Sequence, residues 1–453
     1  MTLTPGILTG WARRHRAGCL VARPADSGEA AAIVRSCAER GWTIVPRGHG
    51  CSYTGNALND GNVVLDTGGL DRIIGFDADT GIVTAEAGVS LARIVDLALP
   101  LGWVPGGVPG SPSVTVGGAI GNNVHGKDSF SAGPFGNAVR RVAVLEADGE
   151  IRHYTPADEA FRHIIGGFGL LGIVVEADIQ LRKVRGPMVE SRVVAFRDLA
   201  ELADLFETHR GDTDLMLGWV DAFSPQGRGS LELGNFVAAP AGRTIPPVAG
   251  RPERFFGLLP PGPIYPVARP LMSGLVMRAH NEAKYRADKG GKTSCVDFGS
   301  HVFPLAFTVP DVAALFPGGL IEAQVLIPAG GAVATHSAIL ALCRDHGAQS
   351  WLCSAKRCSA DGFPLSFAGD GISLSICIPG RRARARDFEA FYRRLVDTVA
   401  EAGGLINLSK DEFMRPHDIR RLYPGLDPFL AFKARHDPET RFSSDFHRRL
   451  QER

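Results

Sequence analysis

The sequence has almost no net charge, with 49 Lys and Arg against 48 Asp and Glu over 453 residues. The broad field that draws in a polyanion is therefore missing, and composition gives no support to nucleic-acid binding. Cysteine is sparse. The eight cysteines (Cys19, Cys37, Cys51, Cys295, Cys343, Cys353, Cys358, Cys377) contain no C-x-x-C and are too few for a disulfide scaffold, so free buried thiols are expected. Cys353 and Cys358 lack a second ligand pair, and no metal site is expected. No apolar run reaches about 18 residues, the length that marks a membrane span. Near the start, Trp11-Ala-Arg-Arg-His-Arg16 interrupts any signal-peptide core, so a soluble, cytoplasmic protein is expected.

Two nucleotide motifs are absent as well. After Gly48 and Gly50, Tyr53 stands where the Rossmann fingerprint needs its third glycine, so nicotinamide binding on that unit has no support. Gly290-Gly-Lys-Thr293 suggests a P-loop until Arg286 is found at the position of its first glycine.

Glycine, by contrast, is in excess: 55 residues, of which 20 fall between positions 41 and 140. Collagen is excluded by the lack of a triplet period, and disorder by a 45% hydrophobic content, which leaves folded, glycine-rich turns. Ser27–Gly41 places Ala30, Ile33, Val34 and Cys37 on one helical face and ends on a glycine. Short strands are expected over 42–46, 62–66, 72–76 and 82–86, and a helix over 91–101. Asp148-Gly149 marks a hairpin within 139–154. This mixture of short helices and hairpins predicts an α+β fold rather than a doubly wound sheet. Length alone allows three domains or two large ones. The change of character beyond Lys183 places a boundary near 185, giving units 1–185, 186–400 and 401–453. Within the second, the Pro- and Gly-rich stretch 240–275 reads as a long surface loop.

Three glycine clusters carry the functional signal. Pro46-Arg-Gly-His-Gly-Cys-Ser-Tyr-Thr-Gly55 follows a strand, and its small residues let successive backbone N–H groups form an anion nest. The second cluster, Pro109-Gly-Ser-Pro-Ser-Val-Thr-Val-Gly-Gly-Ala-Ile-Gly-Asn-Asn-Val-His-Gly126, could lie flat against a planar ligand and meet its polar edge with Ser, Thr and Asn. The third is Gly166-Gly-Phe-Gly-Leu-Leu-Gly172, just before the strand-like Ile173–Ile179. Each alone is equally a set of structural turns; together they suggest a cofactor cradle.

Taken with Ala85-Glu-Ala-Gly-Val89, these segments in this order and spacing resemble the FAD domain of the vanillyl-alcohol oxidase / p-cresol methylhydroxylase flavoproteins over roughly residues 15–185. The resemblance implies a PCMH-type, two-subdomain FAD-binding domain, a separate α+β substrate (cap) domain, and a C-terminal segment that returns to the flavin. By the same resemblance FAD is held by Arg47, Gly48, His49, Gly50, Cys51, Ser52, Pro109, Gly110, Thr115, Gly117, Gly118, Asn122, Asn123, Gly126, Gly169, Ile173 and Val174. Many members tether the flavin to a histidine where Cys51 stands here, so non-covalent FAD is expected.

The likeness runs nearly end to end with the sugar-oxidising branch of that family, through Leu8-Thr-Gly-Trp11, His125-Gly-Lys127, Ser131-Ala-Gly-Pro-Phe-Gly-Asn137, Pro364-Leu-Ser-Phe367, Lys410-Asp411, Tyr423-Pro424 and Phe442–Leu450. It implies catalytic roles for Lys410, Tyr53 and His125, and substrate contacts from Lys127, Gln324, Lys356 and Ser375. Three positions depart from the branch pattern: a cysteine becomes Ser375, a neighbouring asparagine Ser373 and a tryptophan Ile372. A tyrosine near the matched lysine becomes Asn407, which changes packing at the flavin. The expected activity is oxidation of a secondary hydroxyl of a sugar, nucleoside or cyclitol-like substrate to a ketone by hydride transfer to flavin N5. It would serve as the first half of an epimerisation if a separate short-chain reductase completes the inversion. The alternatives are an alditol- or aldonolactone-type oxidase that makes hydrogen peroxide, and a flavin-binding subunit without turnover.

Overall fold

The computed structural model describes residues 2–451 except 257 and 261, so the extreme ends and two positions of the 240–275 stretch lie outside the described residues. Three sheets organise the chain. In the first, Thr4–Thr9 pairs antiparallel with Arg16–Ala22, which runs parallel to Val63–Asp66, itself parallel to Ile44–Arg47. The second is wholly antiparallel, in the order Ile73–Asp77, Ile82–Glu86, Ile173–Gln180, Val139–Leu145, Ile151–Tyr154.

The helix Ser27–Glu39 starts where the Asp26 side chain accepts from Glu29 N–H at 2.8 Å and stops just before Gly41, whose φ of 67° suits the left-handed turn. Its apolar stripe of Ala30, Ile33, Val34 and Cys37 shares one core with Ile44, Val63 and Leu65 of the first sheet and with Ala143, Leu145 and Ile173 of the second. The glycine clusters leave the sheets as loops beside this core. The opposite face of the second sheet packs on the helices Leu91–Ala98 and Val116–Gly121, through Ile94, Val116, Ala119 and Ile120.

The third sheet has eight antiparallel strands. Its order is Lys292–Asp297, Met188–Phe196, Gly229–Val237, Leu215–Val220, Leu352–Cys358, Gly371–Pro379, Leu320–Pro328 and Leu405–Ile406. Side chains alternate across a strand, so each face has its own chemistry. Ile321, Ala323, Val325 and Ile327 join Leu374, Ile376 and Ile378 in one core with Ile339 and Leu340 of the helix Ala332–Asp345 and Phe391 and Leu395 of the helix Phe388–Glu401. The other face carries Glu322, Gln324, Ser373, Ser375 and Lys356, and it is this polar face that matters for function.

The stretch 240–275 departs from the expected loop. It contains the helix Ile264–Leu271, which begins after Pro263 and carries Pro270 in its last turn, where the ring removes one helical N–H and the helix ends a residue later. Tyr265 anchors it against Phe255 and Leu315. No described helix is long and apolar enough to cross a membrane.

The C-terminal segment stitches the sheets together. Leu405–Ile406 adds the edge strand of the third sheet, and the chain then reaches the first sheet, where Ile44 N–H donates to Arg441 O at 2.8 Å and Phe442 sits fully buried in the helix–sheet core. Lys433 holds this return from inside, donating to Asp437, Leu170 O and Phe442 O at 2.8–2.9 Å. Truncating Phe442 to Ala removes a large side chain from a core that cannot collapse around the gap, and a loss of roughly 3–5 kcal/mol is expected. Denaturant unfolding checks this; a change below about 1 kcal/mol would show that the return contributes little to stability.

Candidate active site

The loop after Ile44–Arg47 forms one wall of a groove. Among the described residues, the backbone N–H groups of Gly48, His49, Gly50, Cys51 and Ser52 find no acceptor in the chain, and Ser52 Oγ is buried without a partner. Unpaired donors gathered in this way call for an external anion. Facing them is the loop of Pro109 and Gly110: His49 Nδ1 lies 3.0 Å from Ser113 O, and Cys51 Sγ is 3.9 Å from Ser111 Oγ. Gly48 must be glycine, because a Cβ there would lie 2.3 Å from Thr115 Oγ1. Thr115 is itself committed as the cap of Val116–Gly121, accepting from Gly118 N–H at 3.2 Å, while Gly117 N–H donates to Ala87 O. Gly169 closes the floor at a φ of 70°, with Pro46 so near that a Cβ would meet Pro46 Cγ at 2.4 Å.

Several residues expected to touch the cofactor with their side chains have other duties. Arg47 directs its guanidinium to Thr9 O at 3.0 Å and Ala57 O at 3.4 Å, bracing the loop from behind. Asn123 is engaged at both ends: its nitrogen donates to Asp361 and Ser366 at 2.7 Å, and its oxygen accepts from Gly136 N–H at 2.8 Å. Asn122 donates to Gly118 O and accepts from Ser409 Oγ, tying the groove to the C-terminal segment. Gly126 N–H is taken by Ser129 Oγ. Ile173 is buried in the core below the groove, and only the half-buried Val174 beside it faces outward. These side chains can shape the groove or offer main-chain atoms, but none is free to grip a ligand.

Where the groove meets the polar face of the third sheet, Tyr53, His125, Gln324, Lys356, Ser375 and Lys410 converge. Lys410 Nζ lies 2.5 Å from Glu322 Oε1 and 4.9 Å from the centre of the Tyr53 ring. Glu322 is the functional residue that the sequence reading missed. Burial pushes its carboxyl up, but the Lys410 charge and the hydrogen bond from Lys410 outweigh this and hold it below the usual carboxylate range. The Tyr53 hydroxyl is pushed well up by burial and by the Glu322 charge, so it stays protonated and donates. The signal for Glu322 was present. In the otherwise apolar strand Leu-Ile-Glu-Ala-Gln-Val-Leu-Ile-Pro, Glu322 and Gln324 lie two apart and so share one face.

His125 is buried, its Nε2 3.3 Å from Gln324 Oε1 and its ring packed 5.5 Å from Phe367. Burial and the charges of Lys356 and Lys410 hold its pKa well below the usual value, so the ring is neutral at physiological pH. Lys356 lies opposite Ser373 on the neighbouring strand, and burial, then the Lys410 charge, lowers its ammonium to about 8. Lys127 is placed differently from the expectation of a free substrate contact. Its ammonium is 6% exposed and is taken up by Glu232 at 2.8 Å and His301 O at 2.6 Å, joining the glycine loop to the third sheet. Of the three lysines, Lys410 and Lys127 are each neutralised by a carboxylate, whereas Lys356 has no ion-pair or hydrogen-bond partner for its ammonium among the described residues.

Comparison with known proteins agrees with this geometry. Residues 19–155 match the model of an FAD binding domain. The chain is 31% identical over 435 residues to decaprenylphosphoryl-beta-D-ribose oxidase of Mycolicibacterium smegmatis, covering 93% of this chain and 92% of that protein. It is 31% identical over 395 residues to an uncharacterised protein of Streptomyces coelicolor, covering 80% of this chain and all of the other. A D-lactate dehydrogenase of Archaeoglobus fulgidus is 28% identical over 170 residues, 36% of this chain and 38% of that enzyme. With a groove lined by unpaired N–H donors, a matching FAD-binding domain and a near full-length relative, the chain belongs to the vanillyl-alcohol oxidase / p-cresol methylhydroxylase family of flavoproteins and is an FAD-dependent oxidoreductase.

Proposed function

We propose that the protein oxidises a secondary hydroxyl of a sugar, nucleoside or cyclitol-like substrate to a ketone. The observation that carries this reading is the Lys410–Glu322 pair behind Tyr53, set where the glycine groove opens onto the polar face of the third sheet. The division of labour that fits is an FAD-holding unit over 1–185, a cap over 186–400, and the segment 401–453 bringing Lys410 between them.

The residues present fit FAD. The unpaired N–H groups of 48–52 and the orphaned Ser52 hydroxyl suit its pyrophosphate, and the tight approaches at Gly48 and Gly169 leave flat backbone for the ring system. When bound, FAD supplies the two-electron acceptor for the carbinol hydrogen. The chain handles the rest. Lys410 and Tyr53, the cluster's partly exposed donors, hold the substrate oxygen in place, and the Lys410 charge stabilises negative charge as it builds there. Glu322 holds the Lys410 ammonium in place through the contact of Lys410 Nζ with Glu322 Oε1. His125, neutral, is the group suited to accept the hydroxyl proton. Gln324 and Ser375 order the polar face behind the substrate. Lys356, the unpaired cation, favours a substrate that carries a phosphate or carboxylate. Reduction of the ketone from the opposite face by a separate short-chain reductase, with hydride from that enzyme's own donor, would complete an epimerisation, while the electrons taken by the flavin leave to a separate acceptor.

The flavin is held without a covalent bond. Burial raises the Cys51 thiol above its usual pKa, which disfavours the thiolate that a thioether link needs.

Three outcomes are expected. Acid precipitation should release all flavin into the supernatant, and a yellow pellet would overturn non-covalent binding. Anaerobic mixing with sugars, nucleosides and cyclitols should bleach the flavin with one of them, Lys410→Ala slowing that step on the order of 10²–10³-fold; no bleaching by any would sink the reading. Readmission of oxygen then separates the two acceptor classes, since stoichiometric peroxide in turnover marks the alditol-type oxidase. Finally, the Lys356 ammonium loses its proton as pH rises through about 8, so KM for an anionic substrate should climb above that pH. Lys356→Met should remove the climb, and a flat KM profile in the parent protein would show that no anion is bound there.

A further inference from the structure

Between the third sheet and the C-terminal segment, a row of hydrogen bonds has its direction set from one end. Ser409 N–H can only donate, and it donates to Asn407 Oδ1 at 2.9 Å. The Asn407 nitrogen therefore faces away from it and donates to Gln324 Oε1 at 2.9 Å. Asn407 N–H also donates to Gln324 O at 2.9 Å, which locks the two residues in register. Gln324, its oxygen thus fixed, turns its nitrogen to Ser373 Oγ at 3.1 Å. His125 Nε2 lies 3.3 Å from that same Gln324 oxygen. An acceptor there demands a proton on Nε2, which leaves Nδ1 as a bare lone pair, buried and without a partner.

We propose that Asn407 and Gln324 are positioning residues that hold His125 in its Nε2–H tautomer, making Nδ1 the one acceptor that this histidine offers a substrate hydroxyl. The other tautomer would set two acceptors against each other at Gln324. Turning the Gln324 amide to relieve that would oppose two N–H donors at Asn407, and turning Asn407 would oppose its nitrogen to the fixed Ser409 N–H. The mismatch moves along the row but is not removed, and at every link it falls on buried groups. A second proton on the ring is opposed by Lys356 on the adjacent strand and Lys410 on the C-terminal segment, the charged groups that bear on it. The catalytic part of this inference rests on the function proposed above; the tautomer does not.

Long-range proton–nitrogen correlation on the FAD-loaded full chain, with ring-labelled histidine, reads the tautomer directly and needs no substrate. The His125 signals are identified by their loss in His125→Gln. The expected pattern is a protonated Nε2 and an unprotonated Nδ1 throughout the neutral pH range; a protonated Nδ1 in the parent protein overturns the proposal. Asn407→Asp still accepts from Ser409 but has no N–H to give Gln324, and Asn407→Ala has neither group. Both should yield mixed or protonated His125 signals, with flavin loading retained and kcat lowered on the order of tenfold or more. An unchanged tautomer in both variants overturns the role of the row. If the parent protein shows the expected tautomer yet no substrate bleaches the flavin, the proposed reaction fails while the row stands.

Discussion

Glu322 and Lys410 are 88 positions apart in sequence and meet where three pieces of the chain converge. A carboxylate buried to 5% exposure is costly unless paired, and Lys410 is the charge that makes it tolerable. That constraint reaches outward. Lys410 can arrive only because the C-terminal segment first adds Leu405–Ile406 to the edge of the third sheet. Tyr53 comes from the glycine loop, and its ring lies 4.9 Å from the Lys410 ammonium. One ion pair thus gathers the glycine groove, the third sheet and the chain's return into a single polar site.

Charge accounting around that pair explains the chemistry that the cluster can support. Lys410 is neutralised by Glu322 and Lys127 by Glu232, so neither adds a net charge to the pocket. Burial, with the charges of Lys356 and Lys410, still keeps His125 neutral, and burial, then the Lys410 charge, lowers Lys356 to about 8. A neutral imidazole beside a charge-stabilised oxygen site is the pairing that alcohol oxidation needs, since the hydroxyl proton must leave as the carbinol hydrogen does. The near-zero net charge of the whole chain fits a protein that meets a pyrophosphate with backbone N–H groups rather than with a cluster of lysines.

The groove was legible in the sequence because its demands are local. Gly48, which must clear Thr115, and Gly169, which must adopt a positive φ against Pro46, carry requirements that only glycine meets, and they leave a compositional trace. The strands beneath were legible as short apolar runs, and the helix Ser27–Glu39 through its stripe and its stop at Gly41. Side-chain duties were not. Arg47, Asn123 and Lys127 are the kinds of residue that grip ligands, yet each is consumed by a partner distant in sequence: Thr9 O for Arg47, Asp361 and Ser366 for Asn123, Glu232 for Lys127. Which of two polar groups a buried side chain meets is decided by tertiary contact, and no local pattern encodes it. Glu322 was missed for the converse reason, since a lone acid in an apolar strand gains meaning only from its lysine.

Of the departures that the family resemblance implies, Ser373, Ser375 and Asn407 gather around the polar residues of the strand Leu320–Pro328, while Ile372 lies on the apolar side of the sheet. Ser375, where the resemblance implies a cysteine, lies opposite Gln324 on the neighbouring strand. Ser373, in place of an asparagine, gives Gln324 a hydroxyl that accepts from its nitrogen at 3.1 Å. Asn407, in place of a tyrosine, gives Gln324 oxygen a donor whose direction the backbone fixes. Each change taken alone reads as a loss of bulk in the pocket. Together Ser373 and Asn407 supply hydrogen-bond partners to both ends of the Gln324 amide. A buried polar network is favourable only when every member is satisfied, so these positions are expected to vary as a set rather than singly, and the shape of the pocket is fixed by that network as much as by the volume of its lining.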